Sequence, residues 1–591
     1  MFFKLTAGRN CREKESLFID ALTRSDSASY RYSNVRQSSF ERIPGSPLIY
    51  WATESFADLF TQHPRLETIL NPHQGMKTLD NDRFTRLWPE ISKLKHSVYS
   101  GSKWFPFNKG GGFRKWYGLN DVVVNWENDG EEIKALAIQK YNCVTRTVTN
   151  IDSYFIPGIT WSVISTGTPS FRYYGPGFLF SNSGQCMVSH DERLIESIIG
   201  LLNSKVTDSI LNALSPTIGF ESGYLKKIPI IKVSSEAVHS SVKECISISK
   251  LDWDAHETSW DYKENELVRI LKSDLIPHMW INGELQPEQA EVRDVIDQYK
   301  LIWRNNFNKL HENEVELNRQ FIEIYGLQDE LTPDVPLNEI TILQNGEISI
   351  ENNEIVWHDD VLIKQLLSYA IGCWMGRYRL DKEGLNIAHY PSDDEICTYK
   401  YNGAQFEIDD DAIIPIMGGN IPFEDDNALQ KIINFVRIVF GEENLTKNLN
   451  YIEHCLGKSL ENYLVKDFWK DHKKMYQNRP IYWLFSSKKG AFQVLTYMHR
   501  MNPYTVEKIR TKYLLPYIDY LKGRIEVDEA RGSELSSVER ANLAKMRVAL
   551  DECNEYHDRL HEVAIQAIDF DLDDGVVVNY AKFGDVVAKI K

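Results

Sequence analysis

Lys109-Gly110-Gly111-Gly112-Phe113-Arg114-Lys115-Trp116-Tyr117-Gly118 sets three cations and three aromatic rings around a run of glycines. Backbone N–H groups in such a loop can approach a phosphate closely, and the neighbouring cations can neutralise it. Downstream, Ser165-Thr166-Gly167-Thr168-Pro169-Ser170-Phe171-Arg172-Tyr173-Tyr174 brings hydroxyls, an arginine and aromatics into one turn. Arginine reads guanine bidentately, and hydroxyls meet phosphates or base edges. A second reading makes Trp116, Phe171 and Tyr173 the core of a β-domain with cations merely around it. Residue types alone leave both open.

The sequence around this stretch has a β pattern. Asp121–Trp126 and Ile133–Ile138 are β-rich runs separated by Asp129-Gly130, a hairpin signal. Short strands are expected at Gly158–Ser165 and Gly177–Phe180, then a helical stretch over Asp191–Leu214 with Leu194, Ile198, Leu201, Leu202, Val206 and Ile210 at helical spacing. Upstream, Ile43-Pro44-Gly45-Ser46-Pro47 predicts a rigid bend. Residues 236–330 read as helices, including a long amphipathic one over 286–326. From about 360 a helical domain begins at Leu362–Trp374 and runs to roughly 570, with an apolar periodic stretch at 428–440 and a charged helix at 534–563. The expected fold class is α+β multidomain: a mixed β-rich domain, a helical spacer and a mainly α C-terminal domain.

The chain has 591 residues, 42% hydrophobic and 26% charged, which is a folded multidomain composition. Its eight cysteines include no Cys-x-x-Cys pair, arguing against a zinc ribbon or a secreted cystine framework and fitting a reducing cytoplasm. No apolar run reaches the roughly 18–20 residues of a membrane span, and the first residues lack a signal-peptide core, so a soluble protein without a membrane partner is expected. The net charge of −17 is unevenly divided. Residues 1–232 hold 27 Lys+Arg against 22 Asp+Glu, a net of +5, leaving 40 against 62 in residues 233–591, a net of −22. Such asymmetry hints that one end meets a polyanion; uneven surface charge without meaning is the alternative.

Several fragments imitate catalytic motifs. Asp121 with Glu132-Ile133-Lys134 resembles a Mg²⁺-nuclease core, although a lysine just after a turn is an ordinary exposed charge. Asn502-Pro503-Tyr504 resembles part of a base-gripping tetrapeptide but lacks its second proline, and a helix-start turn suits it better. Asp569, Asp571, Asp573 and Asp574 lack the ligand rhythm of an EF-hand and read as a solvated loop. His454 and His472 have no spaced partners and read as structural or surface histidines. No catalytic residue, cofactor-binding residue or metal ligand is assigned on this chain.

Taken together, several segments resemble the C-terminal half of the PglX proteins, the adenine-specific DNA methyltransferases of bacterial BREX phage-defence systems, and more distantly type IIG/IIL restriction-modification polypeptides. The resemblance is carried by Ile43–Pro47 with Tyr50-Trp51, Gly112–Gly118, Val124–Gly130 and Ser170–Tyr174. It continues through Leu202-Asn203-Ser204-Lys205, Asn212–Phe220 with Gly223 and Ile228-Pro229, and Trp253 with Trp260-Asp261. Gly372 with Gly376-Arg377-Tyr378, and Asn478–Phe485, complete it. It spans nearly the whole chain. The family's glycine-rich S-adenosylmethionine motif and its Asn-Pro-Pro-Tyr motif are absent from this sequence.

The resemblance implies a remnant of the methyltransferase domain at 1–62, a target-recognition domain at 63–235, a helical spacer at 236–330 and a helical domain at 331–591. It implies double-stranded DNA as partner, a separate methyltransferase half and other defence-system proteins as further partners. S-adenosylmethionine is then the cofactor of the complete enzyme, with none expected on this chain alone. A methylase that flips its base needs a segment that grips the duplex. Phosphate positioning is assigned to Lys109, Arg114, Lys115 and Lys205, base-edge or groove contact to Arg146, Thr166, Ser170 and Arg172, and Tyr117 joins the DNA-contacting set. The Asn212–Phe220 block is expected to be structural, closing the recognition domain, and Asn478–Phe485 to be core. The alternatives are a protein-interaction scaffold and the Mg²⁺-dependent nuclease.

Overall fold

The computed structural model describes residues 2–23, 31–32, 35, 38–164, 167–215, 219–233, 235–276, 280–281, 284–285, 291–419 and 421–590. Near the N-terminus, α1 (Cys11–Thr23) and α2 (Glu54–Gln62) flank the Ile43–Pro47 bend, closed by Ser46 N–H donating to the Ile43 carbonyl at 2.9 Å. Thr53 caps α2 by accepting from Phe56 N–H.

Two small sheets follow. β1 (Thr85–Leu87), β2 (Trp104–Asn108) and β3 (Val122–Asn125) form an antiparallel set in the order β1-β3-β2. Between β3 and the second sheet lies α3 (Glu127–Tyr141). The second sheet pairs β4 (Gly158–Ser162) with β5 (Phe171–Tyr174) and, after β6 (Leu179–Phe180), with β7 (Gly184–Val188), all antiparallel. β6 adds in parallel to the free edge of β2, making the first sheet four-stranded.

The expected hairpin over 121–138 forms only its first strand. Ile133–Ile138 lies within α3 instead. Ile133 and Ala137, four residues apart, are fully buried while Ile138 is exposed, a helical and not an alternating pattern. Glu, Lys, Ala, Leu and Gln in this stretch are strong helix formers. Asn128, Asp129 and Gly130 take left-handed backbone angles and redirect the chain into the helix. A side chain at Gly130 would strike the Trp126 ring at 2.5 Å.

The helical stretch at 191–214 is two helices, α4 (Glu192–Leu202) and α5 (Lys205–Leu214), broken at Asn203-Ser204. α6 (Glu236–Asp254), α7 (Glu266–Lys272) and the long α8 (Val292–Ile324) follow, α8 packing along α6. Residues 286–290 of the expected long helix lie outside the described residues. A hairpin of β8 (Ile348–Glu351) and β9 (Glu354–Trp357) leads into α9 (Asp359–Trp374).

The last part contains more β-structure than its helical pattern suggests. β10 (Thr398–Tyr401) pairs with β11 (Ala404–Glu407), and β12 (Ile413–Pro415) belongs to a three-stranded sheet with β13 (Tyr482–Ser486) and β14 (Gln493–Tyr497). α10 (Ala428–Phe440), α11 (Leu445–Leu456), α12 (Leu515–Arg531) and α13 (Ser537–Ala564) complete the unit. The Asn478–Phe485 block supplies β13, with Trp483 and Phe485 fully buried. His472 is buried and accepts from the N–H groups of Ile481 and Tyr482 at 3.2 and 3.0 Å, so it is structural. Asn502-Pro503-Tyr504 precedes a short helix at Thr505, as a helix-start turn should.

One apolar core runs from Ile43 to Val587, and a second fills the space around β1–β3. The result is a mixed α+β architecture. Among the described residues no helix is long and apolar enough to cross a membrane.

Candidate nucleic-acid interface

The glycine run and the 165–174 stretch meet in space. The loop leaves β2 at Lys109, and Gly110 has φ +78°, where an added Cβ would meet the Ser183 carbonyl at 2.8 Å. Gly111 N–H donates to Ser162 Oγ at the end of β4. Residues 114–117 then run beside β5: Arg114 N–H donates to Ser170 Oγ, Trp116 N–H to the Phe171 carbonyl, and Tyr173 N–H to the Trp116 carbonyl. Beyond this seam the loops part around an open cleft of about 460 Å³, lined by Gly111, Gly112 and Phe113 on one side and Ile164, Gly167 and Thr168 on the other.

The side chains do not all face that cleft. The Arg114 guanidinium turns inward, donating to the Tyr117 carbonyl at 2.6 Å, to the Ser249 carbonyl at 3.1 Å and to Asp252 at 2.9 Å. The Lys115 ammonium donates to Glu314 at 2.7 Å, and Trp116 Nε1–H donates to the other oxygen of the same carboxylate at 2.7 Å. Tyr117 is buried with the Lys250 ammonium over its ring, and burial raises its hydroxyl to about 12. Ser170 is buried beneath Arg114.

Arg172 is fully buried opposite Thr160 in the β4–β5 pair. Among the described residues it reaches only the Arg114 carbonyl at 3.3 Å and Ser162 Oγ at 3.4 Å, and its Nε has no partner. Burial, with Arg114 alongside, pulls its pKa down to about 9.

Five of the sequence-assigned residues, Arg114, Lys115, Tyr117, Ser170 and Arg172, are therefore not on the surface. The cause lies far along the chain. Asp252 is 138 residues beyond Arg114 and Glu314 is 199 residues beyond Lys115, so the attracting carboxylates could not be seen locally. Lys205 is half-buried and donates to Glu339 at 2.9 Å. Thr166 lies outside the described residues. Lys109 is half-buried and donates to Thr85 Oγ1 at 3.2 Å; burial, with Arg479 nearby, lowers its pKa.

Arg146 is exposed, its guanidinium stacked 4.5 Å over the Tyr141 ring. Near it the sequence reading missed Lys77 and Lys140. Lys77 N–H donates to the Thr147 carbonyl, and Lys140 lies in the last turn of α3, next to Tyr141. All three cations are exposed and, among the described residues, none lies in an ion pair. A sequence signal existed in Lys140-Tyr141 followed by Arg146, but only the fold adds Lys77.

The charge asymmetry is partly internal. Cations of the first part pair with carboxylates of the second: Arg114 with Asp252, Lys115 with Glu314, Lys205 with Glu339, and Lys95 and Lys103 with Asp573. The last contacts correct the reading of 569–574 as a solvated loop at Asp573, while Asp569, Asp571 and Asp574 are exposed as expected. Asp573 is buried and also accepts from Trp104 Nε1–H at 2.9 Å. Burial would favour its neutral form, but hydrogen bonds from Lys103, Lys95 and Trp104 hold its pKa below the ordinary value.

The nuclease residues do not converge. Asp121 accepts from Gln477, Glu132 pairs with Arg83, and Lys134 pairs with Asp129. Among the described residues only Asp409, Asp410 and Asp411 have carboxylates close enough to share an ion, and Lys431 and Lys512 already compensate them. Arg377, in the Gly372–Tyr378 block, is a buried structural group donating to the Tyr378 and Tyr497 hydroxyls at 3.0 Å.

No protein-family model matches the chain. It is 36% identical over 592 residues to "Adenine-specific methyltransferase BrxX" of Escherichia coli O9:H4 (strain HS), covering 95% of this chain and 46% of that protein. It is 35% identical over 596 residues to "Adenine-specific methyltransferase PglX" of Lacticaseibacillus casei (strain Zhang), covering 97% of this chain and 47% of that protein. The chain is a homologue of BrxX/PglX-type proteins. It spans about half the length of these curated relatives. The resemblance drawn from the motifs and the comparison by identity thus point to the same family.

Proposed function

We propose that this chain is the DNA target-recognition and C-terminal region of a site-specific adenine-N6 DNA methyltransferase of a phage-defence system. The observation that carries the reading is identity over nearly the whole chain to about half of two adenine-specific methyltransferases. In this reading residues 1–62 complete the methyltransferase domain, 63–235 grip and read duplex DNA, 236–330 form a spacer and 331–591 a C-terminal domain. A catalytic half carries S-adenosylmethionine, and no residue of this chain is assigned to that cofactor.

The β-region supports the reading with two features. Lys77, Lys140 and Arg146 form an exposed cationic face suited to a phosphodiester backbone, and the cleft beside the glycine loop offers accessible backbone beside Thr168. Phosphate contacts are thus reassigned to Lys77, Lys140, Arg146 and the half-buried Lys109. Arg114 and Lys115 become the girders that hold the loop.

The test is duplex binding by the full chain across a salt series. Binding should weaken steeply with salt, and the triple variant K77A/K140A/R146A should flatten the log–log slope by about 0.9 for each lost phosphate contact. Unchanged affinity and slope in the triple variant would remove this face from the interface. Adenine methylation is expected when the chain is combined with the catalytic half and S-adenosylmethionine.

A second reading, the protein-interaction scaffold, draws on the α12–α13 helical pair. It has a small core of its own from Ile525, Leu535 and Leu543, and it exposes Val527, Val538 and Val548. Partner capture by the chain with no duplex binding at low salt would favour it.

A further inference from the structure

Arg172 presents a local imbalance of charge. Around the seam between the glycine loop and the β4–β5 hairpin stand three buried cations, Arg114, Lys115 and Arg172. Asp252 matches the first and Glu314 the second. Among the described residues no carboxylate matches the third. At neutral pH the guanidinium is protonated, and burying it without a counter-charge is unfavourable.

The guanidinium points toward the underside of the glycine loop. Its Nη2 donates to Ser162 Oγ at 3.4 Å, and the same oxygen accepts from Gly111 N–H at 2.9 Å. With both acceptor positions filled, the Ser162 hydroxyl proton has no acceptor among the described residues. The N–H groups of Gly112 and Phe113 likewise have no partner among the described residues. Among the described residues, a Cβ on Gly112 would meet nothing within 4 Å. The carboxylate in the cleft wall, Glu339, is held by Lys205 at 2.9 Å.

We propose that the glycine loop and Ser162 form an oxyanion site for one phosphodiester of the DNA backbone, with Arg172 beneath them as its counter-charge. The Ser162 hydroxyl and the free N–H groups of the loop contact the anion. Arg172 is a positioning residue that acts through Ser162 and the field it sets under the loop. This rests on the DNA-recognition reading and alters the role of Arg172 within it, from reading a base to balancing a phosphate. The glycines fit the role: a Cβ on Gly111 would strike the Leu119 side chain at 2.8 Å, and a side chain at Gly112 would enter the cleft beside the loop backbone.

Three variants of the full chain test it. Gly112→Asp places a carboxylate on the cleft side of the loop, where a Cβ meets no described residue within 4 Å, and keeps the arginine. Arg172→Gln removes the counter-charge. Gly523→Asp makes the same charge change as the first at a remote, unobstructed position of α12.

Melting temperature is read with inorganic phosphate against chloride at matched ionic strength, and duplex affinity is read across a salt series. Phosphate should raise the melting temperature of the wild type and of Gly523→Asp, but not of the other two. Duplex affinity should fall about tenfold in Gly112→Asp and Arg172→Gln, with the salt slope reduced by about one contact. Gly112→Asp should melt no lower than the wild type, so it decides the matter even if Arg172→Gln does not fold.

If the wild type binds duplex and Gly112→Asp binds it equally well with the same slope, the subsite is wrong and the DNA reading stands. If phosphate protects the wild type but duplex does not bind, the site takes a free anion and the DNA reading fails. If neither is seen, both fail.

Discussion

Replacing Glu314 with glutamine is the sharpest probe of the inward-facing cations. Glutamine keeps the shape of the side chain and an oxygen that can accept from Trp116 Nε1–H, but it leaves the Lys115 ammonium without its counter-charge. Both members of the pair are almost sealed, at 5% and 3% side-chain exposure, and they sit 2.7 Å apart. Breaking a sealed pair from one side costs about 3–5 kcal/mol, because the remaining charge is buried alone. That is a large share of the 5–15 kcal/mol that holds an ordinary domain together.

Lys115→Met should cost a similar amount by orphaning the carboxylate. The double variant K115M/E314Q removes both charges and should recover most of the loss, giving a coupling energy of about 2–4 kcal/mol. Urea unfolding followed by intrinsic fluorescence at matched m-values measures all three. Additive single effects, or an E314Q variant within about 0.5 kcal/mol of wild type, would refute the argument. The double variant should also retain duplex affinity, because Lys115 faces Glu314 and not solvent.

Three further outcomes are expected. Stability should fall on both sides of neutral pH. On the alkaline side the group is His256: burial opposes its charge, but Glu347 at 2.6 Å overrides this and raises the pKa from 6.5 to about 9. Its contribution is complete below about 6.5 and lost as pH rises through about 9, so His256→Gln should flatten that limb in a thermal-melt pH series. On the acid side, burial lowers His96 to about 4 and His472 and His499 to about 3, so stability is lost as pH falls below 6.5 toward those values. Asp573→Asn should cost about 1–3 kcal/mol by weakening the holds of Lys95 and Lys103, and limited proteolysis should then cut the 565–575 segment faster than in wild type. Gly130→Ala should cost about 1–3 kcal/mol by circular-dichroism melts, since alanine resists φ +71° and its methyl would press on the Trp126 ring.

The sequence makes the helices legible where apolar spacing is regular, as in α4, α8 and α10, because 3.6-residue periodicity survives without knowledge of neighbours. It misleads at Ile133–Ile138, where a short apolar run fits either period and the left-handed backbone of Asn128–Gly130, resembling a hairpin turn, starts a helix instead. Strands β10–β14 are hidden for a related reason: each is only three to five residues long, and although β10–β11 and β13–β14 are local hairpins, β12 finds its partner far along the chain, Ile413 with Thr496. At the candidate interface, residue types pointed to two loops that do meet in space, but not to which of their side chains are buried. Whether Arg114 faces water or Asp252 depends on a carboxylate supplied by another helix, and no local pattern encodes that. Conversely, the exposed face of Lys77, Lys140 and Arg146 is assembled by a backbone contact between 77 and 147 that neither stretch reveals alone.

The seam between 109–118 and 158–174 has two sides with different freedom to vary. Its inner side is tied to Ser249, Asp252, Glu314 and Thr341 on elements far down the chain. Its outer side, at Gly112, Gly167 and Thr168, borders open space. Transplanting the whole β-region from a relative would require matching acids in the recipient's helices, or it would strand two buried charges. Grafting only the loop tips avoids that requirement. Sequence change on this face is therefore cheapest at the tips, one residue at a time, with the scaffold of charge pairs left as a fixed chassis.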